Sequence, residues 1–332
     1  MMKQTLKKSI LGFGKAMLCT AALVQAGPVM ASSYPEEPIQ WVVPYAPGAA
    51  SDTLARRVAK DLGDELKKSI VVENQPGAGT VNAARKLKRA NPNGYNVMNA
   101  DISTLALNPI LMKDPGYTAD DFTMVSMLAR LPLVLVVRPD LPVESVSELI
   151  EYAKANPDKL NYASAGLGSP HHMGMELLMQ QTGSSMTHLP FNGASPGLME
   201  LLAGRVDLMF GSVGSVASYL KSGKLKALGI SSEESFPGLE GVKPLHELDP
   251  RLDDYEMYAW QGLVTPAGLS DEIRDKLNAS LKTVLEKPEL IEDFTKLGLE
   301  AKWSTAEDFK DYVHDQGQIW KKLIEEKGLS RN

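Results

Sequence analysis

Apolar positions fall into short runs that alternate with four-residue periodicities. Ile39 to Val43 is a run of strand length. After a turn at Tyr45 to Ala50, Leu54, Val58, Leu62 and Leu66 recur every four residues with Ala55 and Ala59 beside them, which predicts a helix packed on a sheet. The unit repeats: a short strand at Ile70 to Val72, a helix at Thr80 to Arg89 stopped by Asn91-Pro92-Asn93-Gly94, and a strand at Tyr95 to Met98. Leu133 to Val137 reads as a strand, and Ser145 with Glu148 is a capping-box signature for the next helix. Tyr162 to Ser164 runs into a glycine-rich turn, followed by a helix through Met173, Leu177 and Leu178. Val206 to Phe210 and Ala227 to Ile230 flank a helix that ends at Ser222-Gly223. Such alternation predicts an α/β protein with mostly parallel sheets covered by helices.

The last third differs, with helical patterns at Asp271 to Glu286, Glu289 to Leu297 and Thr305 to Glu326. A length of 332 residues exceeds the usual single core, so two lobes are expected. The pattern places the crossings near 134 and 261: residues 32–133 in the first lobe, 134–260 in the second, 261–332 returning to the first.

Lys3, Lys7 and Lys8 precede an apolar stretch from Ile10 to Ala26, and Val29-Met30-Ala31 supplies small residues for cleavage. Residues 1–31 therefore read as an export signal and the protein as periplasmic. Lys15 leaves the stretch too short for a membrane anchor, and Leu18 before Cys19 is too bulky for lipid attachment. The segment holds four lysines and no acid, so its removal takes the formal charge from -6 to -10. A chain this acidic is a poor partner for nucleic acid. Cys19 is the single cysteine, so the exported part has neither disulfide nor thiol chemistry.

Ligands of open α/β sheets bind where strands give way to helices, because helix starts carry unpaired N–H groups and partial positive charge. Two turns of small residues, Tyr45 to Asp52 and Ala165 to His171, fit that description. Each is also what an ordinary turn and cap would look like. Enzyme signatures are lacking: Tyr162 stands where a nucleophile elbow around Ser164 needs glycine, and no dinucleotide or phosphate-loop fingerprint is complete. His171, His172, Glu176 and His188 are the best metal candidates, yet they match no zinc or calcium spacing. No metal or cofactor is expected, and no catalytic residue.

Five stretches together carry a resemblance: Pro44 to Arg56; Asn74-Gln75-Pro76-Gly77-Ala78-Gly79; Tyr162 to Ser169 with His172; His188 to Gly193, continuing to Leu201 to Asp207; and Gly223 to Leu228. In order and spacing they resemble the tripartite tricarboxylate transporter substrate-binding family, the Bug-type carboxylate receptors, over essentially the whole exported chain. The resemblance implies a two-lobed periplasmic binding protein fold of type II with the ligand cleft between lobes. It also implies a receptor that delivers a small carboxylate to membrane permease subunits; a monomer is expected, and the alternative reading is an exported partner that passes the same carboxylate to a sensor histidine kinase. Carried over by position, the ligand residues are Pro47, Gly48, Ala49, Ala50, Ser51 and Asp52 on one side, and Gly166, Gly168 and Ser169 on the other. Asp101, Ser103 and Thr104 form a third loop, and His172, Asn192, Gly193, Ser195 and Ser212 lie toward the far end. Ala49 and Ala50 replace a customary glycine pair, and Asn192 a frequent basic residue. Those changes, with the small Gly211 and Ser212, point to a dicarboxylate or aromatic carboxylate.

Overall fold

Strand β1 (Ile39–Val43) is buried except at Gln40, and helix α1 (Ala50–Leu66) covers it with the expected stripe of Leu54, Val58 and Leu62. The computed structural model describes residues 34–329, so the segment read as an export signal lies outside the described residues. The chain continues through β2 (Ile70–Asn74), α2 (Val81–Lys88), β3 (Asn96–Asp101), α3 (Asn108–Leu111) and β4 (Phe122–Val137). Next come α4 (Val146–Ala155), β5 (Asn161–Ser164), α5 (Pro170–Thr182), β6 (Thr187–Pro190), α6 (Ala194–Leu202), β7 (Leu208–Ser212), α7 (Val213–Lys221) and β8 (Lys226–Ile230). The chain ends with β9 (Tyr258–Pro266), α8 (Asp271–Leu285), α9 (Pro288–Lys296), β10 (Glu300–Ala301) and α10 (Ala306–Lys327).

The strands follow the order β2-β1-β3-β9-β4-β7-β5-β6, with β8 and β10 also paired to β4. Strands β1, β2 and β3 are parallel, as are β5, β6 and β7, so each set presents its carboxyl ends and following turns along one edge. Strands β4 and β9 run antiparallel to their neighbours. β4 belongs to both halves: residues up to Pro132 pair with β9, and those from Leu133 onward pair with β7 and β8.

Several helix starts obey the sequence. Ser145, Ser270 and Thr305 each accept an N–H from three residues ahead. At α4 the box is shifted, because Glu148 Oε2 takes the Glu144 N–H at 2.7 Å. Two expectations change. β4 begins at Phe122, not Leu133, because polar residues that break the apolar run find partners in the fold. Ser126 Oγ donates to the backbone, Arg130 Nη2 lies 3.0 Å from Glu300 Oε2, and the Arg130 guanidinium sits 4.1 Å from the Tyr258 ring centre. The helix expected from Thr80 starts at Val81, because Ala78, Gly79 and Thr80 take φ of 47°, 59° and 83° and make a left-handed turn first.

Within the first half, Trp260 on β9 packs edge-on against Phe309 and Tyr312 of α10, at 5.7 and 5.6 Å between centres. Gly262 is pressed by the same Phe309: an added Cβ would fall 2.1 Å from its Cζ and 2.9 Å from the Ser126 oxygen. Among the described residues, no helix is long and apolar enough to cross a membrane.

Gly262→Ala should therefore destabilise the protein by about 2 kcal/mol or more through overpacking, read from urea denaturation midpoints. Asp249 supplies a pH-dependent contribution. It is 3 % exposed and accepts from Arg251 Nε and Nη2 at 2.8 and 2.7 Å and from Ser147 Oγ at 2.7 Å. The Arg251 hydrogen bonds hold its carboxyl far below the usual range. A lowered folded pKa means stability that is present above the unfolded value, near 4, and is lost as pH falls through the folded one. Asp249→Asn should cost about 2 kcal/mol at pH 7 and give a flatter stability curve on acidification below pH 4, measured by denaturation at several pH values.

Candidate functional site

The turn between β1 and α1 is shaped by its own side chains. Gly48 takes φ of 80°, and its N–H goes to Asp52 Oδ2 at 2.9 Å. Asp52 Oδ1 accepts from Asn74 Nδ2 at 2.8 Å and lies 2.9 Å from Arg56 Nε. Burial works against the Asp52 charge, but the hydrogen bonds from Arg56, Gly48 and Asn74 outweigh it and keep the carboxyl below its usual value. Asp52 is thus a brace of the turn. The Ala49 N–H is taken by the Ala46 oxygen and the Asp52 N–H by the Ala49 oxygen. The N–H groups of Ala50 and Ser51 have no partner among the described residues. They are the open donors of this turn, and Pro47 has none to give.

A buried chain of amides holds the same helix start from below. Gln261 Nε2 on β9 donates to Ser51 Oγ at 2.5 Å, Asn99 Nδ2 donates to Gln261 Oε1 at 2.9 Å, and Trp41 Nε1 donates to Asn99 Oδ1 at 3.3 Å. Asp101 is also turned inward, accepting from Tyr45 OH, Thr104 N at 2.8 Å and Thr104 Oγ1 at 2.7 Å. Ser103 opens a π-helical turn (Ser103–Leu107) directly after β3. Thr104 is fully buried, so of this third loop only Ser103 retains partial exposure beyond β3.

The turn between β5 and α5 differs from the expectation of bare amides. Gly166 and Gly168 have φ of 109° and 67°. The Gly166 N–H goes to Ser164 Oγ at 3.0 Å, the Gly168 N–H to His172 Nδ1 at 3.2 Å, and the Ser169 N–H to the Gly166 oxygen at 3.1 Å. Ser169 Oγ caps α5 by accepting the His172 N–H. In this structure the turn's donors serve its own shape. Ser164 Oγ also lies 2.6 Å from His188 Nε2, and His188, His172 and Tyr162 stack with centres 4.1 to 6.3 Å apart.

The remaining predicted residues sit along the same edge. Asn192 is exposed, Gly193 (φ 107°) precedes α6, and Ser195 lies exposed in its first turn. Ser212 begins α7, and its Oγ donates to Ser215 Oγ at 2.9 Å. The small size of Gly211 is a packing requirement: a Cβ there would meet Val216 Cγ1 at 2.5 Å. Gln261 shapes the site without having been expected there, and Tyr45, Ser164 and His188, which lie in the stretches that carry the resemblance, were not among the expected ligand residues. Only the pairing of Ser164 with Gly166 is local enough to have been read from spacing.

Two histidines beside the second turn add no positive charge. Burial pushes His171 down to about 4. Burial, then the neighbouring His172, push His188 down to about 4 against the opposing effect of Glu176. Both rings are neutral at pH 7. Among the described residues, no group of three metal-ligating side chains is assembled. A cavity of about 970 Å³ lies elsewhere, between β4, α8 and α10, and none of the predicted ligand residues lines it. Its arginine, Arg274, is already paired with Asp271 and Asp275, whereas open anion donors occur at the strand ends.

The sequence pattern described as "Tripartite tricarboxylate transporter family receptor" matches residues 54–329. Protein BugT of Bordetella pertussis is 31% identical over 305 residues, covering 91% of this chain and 93% of BugT. A protein from the tcbD-tcbE intergenic region of Pseudomonas sp. (strain P51) is 31% identical over 301 residues, covering 90% and 89%. A solved R. palustris protein with adipate superposes with a TM-score of 0.77 at 28% identity, covering 90% of this chain and 99% of that one. MatC from Rhodopseudomonas palustris with bound malate gives 0.73 at 29% identity, covering 88% and 100%. The periplasmic binding protein BugD gives 0.74 at 30% identity, covering 90% and 100%. The chain belongs to the tripartite tricarboxylate transporter receptor family, a family of periplasmic solute-binding receptors with a two-lobed α/β fold and not of enzymes.

Proposed function

We propose that this receptor captures a small dicarboxylate or aromatic carboxylate and delivers it to the permease subunits of a tripartite tricarboxylate-type transporter. Residues 1–31 act as its export signal, and the lobes comprise 32–133 with 261–332, and 134–260. The change of partners in β4 after Pro132 supports that division. The observation that carries the reading is the start of α1, where the Ala50 and Ser51 amides lack partners at the carboxyl end of β1. Helix start and amides together favour a negative group. Solved neighbours with adipate and malate support the same chemistry. Gly166, Gly168 and Ser169 shape the opposing wall, and Asn192, Gly193, Ser195 and Ser212 border the distal end.

Magnitudes favour a ligand with two anchoring ends. Two charge-assisted hydrogen bonds contribute about 3 to 6 kcal/mol net, whereas a micromolar site needs about 8. A second carboxylate or an aromatic face must supply the rest. Adipate or malate should therefore bind at least about a hundredfold more tightly than acetate, a gap of about 2.7 kcal/mol.

Calorimetric titration of the protein with adipate, malate, succinate, benzoate, glutamate and acetate tests this. Binding of none, acetate binding as well as the larger acids, or chemical turnover of any would overturn the reading. Ala50→Pro isolates the carrying observation. Ala50 is the first helical residue, where proline is tolerated, and Ala49 already has φ of -66° and ψ of 159°, which suit a residue before proline. The variant should keep its Tm within about 2 °C and lose about tenfold in affinity for the tightest panel member, the value of one charged hydrogen bond.

A further inference from the structure

The ring cluster behind the glycine-rich turn has no part in the function described so far. His172 is 1 % exposed, so it presents almost no surface to a ligand. Its Nδ1 accepts the Gly168 N–H at 3.2 Å, which requires that nitrogen to be unprotonated and places the ring's proton on Nε2. Nε2 lies 3.7 Å from Glu176 Oε1, one helical turn along α5. Glu176 is itself held, since Tyr162 OH donates to Oε1 at 2.8 Å and Lys327 Nζ, at the end of α10, lies 3.5 Å from Oε2. On its other side the ring stacks on His188 at 4.1 Å between centres, and His188 is bonded to the Ser164 hydroxyl that receives the Gly166 N–H. Both positive-φ glycines of the turn are therefore tied to one buried cluster, and Gly168 is itself buried. A buried N–H left without an acceptor is unfavourable, so loss of the His172 acceptor would release the turn and not merely one bond.

We propose that His172 is a positioning residue of the receptor, whose Nδ1, oriented by Glu176 and the stacked His188, sets the Gly166 to Ser169 turn in its ligand-ready shape without touching the ligand. The proposal rests on the carboxylate reading, in which that turn forms one wall of the site. It makes two side chains of equal polarity unequal. Asn at 172 carries its oxygen where Nδ1 stood, whereas Gln reaches to where Nε2 stood and leaves Gly168 without an acceptor.

Amide hydrogen exchange on the unliganded wild type, His172→Asn and His172→Gln, followed by titration with the acid panel above, tests this. The Gly168 amide should exchange at least about tenfold faster in His172→Gln, with the β4 and β9 amides unchanged, and His172→Asn should recover most of the protection. Affinity for the panel member that binds wild type should follow the same order. Equal exchange at Gly168 in wild type and His172→Gln, or equal loss in both variants, overturns the positioning role. If His172→Gln does not fold, protection in His172→Asn alone decides: wild-type exchange at Gly168 supports the role, and unprotected exchange in a folded variant overturns it. If wild type binds no panel member, the carboxylate reading falls, and the exchange data still decide the role of His172.

Discussion

A strand that turns directly into a helix leaves backbone N–H groups that neither element can use. The molecule answers that constraint in two opposite ways. At the start of α5 the donors are turned inward onto Ser164, His172 and the turn's own carbonyl. At the start of α1 Asp52 takes the Gly48 donor and the Ala46 oxygen takes that of Ala49, which leaves the Ala50 and Ser51 amides open. The difference depends on which neighbour is an acceptor: a carboxylate four residues ahead in one turn, an imidazole four residues ahead in the other.

The open pair is of use only if it is rigid, and much of the first half's polar interior serves that end. Ser51 is fastened through Gln261 and Asn99 to Trp41, so α1, β9, β3 and β1 share one line of hydrogen bonds beneath the turn. Asn74 clasps Asp52 from the next strand and also donates to the Tyr45 oxygen. Preorganised donors lose little entropy when an anion arrives, so few of them can do what a flexible lysine would do less selectively. The two acids nearby, Asp52 and Asp101, have every oxygen engaged by donors, which limits their repulsion of the negative group proposed to bind there.

Local rules made much of this readable. The stripe Leu54, Val58, Leu62, Leu66 and the last three helices follow from periodicity, and Ser145 caps as its spacing with Glu148 implies. The turns themselves were visible from their glycines, and the family pattern supplied only the expectation of their roles. What stayed hidden depends on distant partners. Ser126 and Arg130 disguise the first part of β4, because their acceptability in a strand is set by Ser304, Glu300 and Tyr258. Gln261 lies 210 positions from the serine it holds, beyond any local signal. The left-handed turn at Ala78 to Thr80 hid for another reason: alanine and threonine rarely adopt positive φ, so composition argues against the conformation that Thr104 and Asn108 stabilise there.

Pro132 stands where β4 passes from one set of partners to the other. Proline has no N–H, so the ladder lacks a rung at the very place where both sheets would otherwise be welded into a continuous ribbon. The passage is tied sideways instead: the Ser231 N–H goes to the Leu133 oxygen and the Met257 N–H to the Ser231 oxygen, so the strand that leaves the first half and the segment that returns to it are laced together one residue beyond the missing rung.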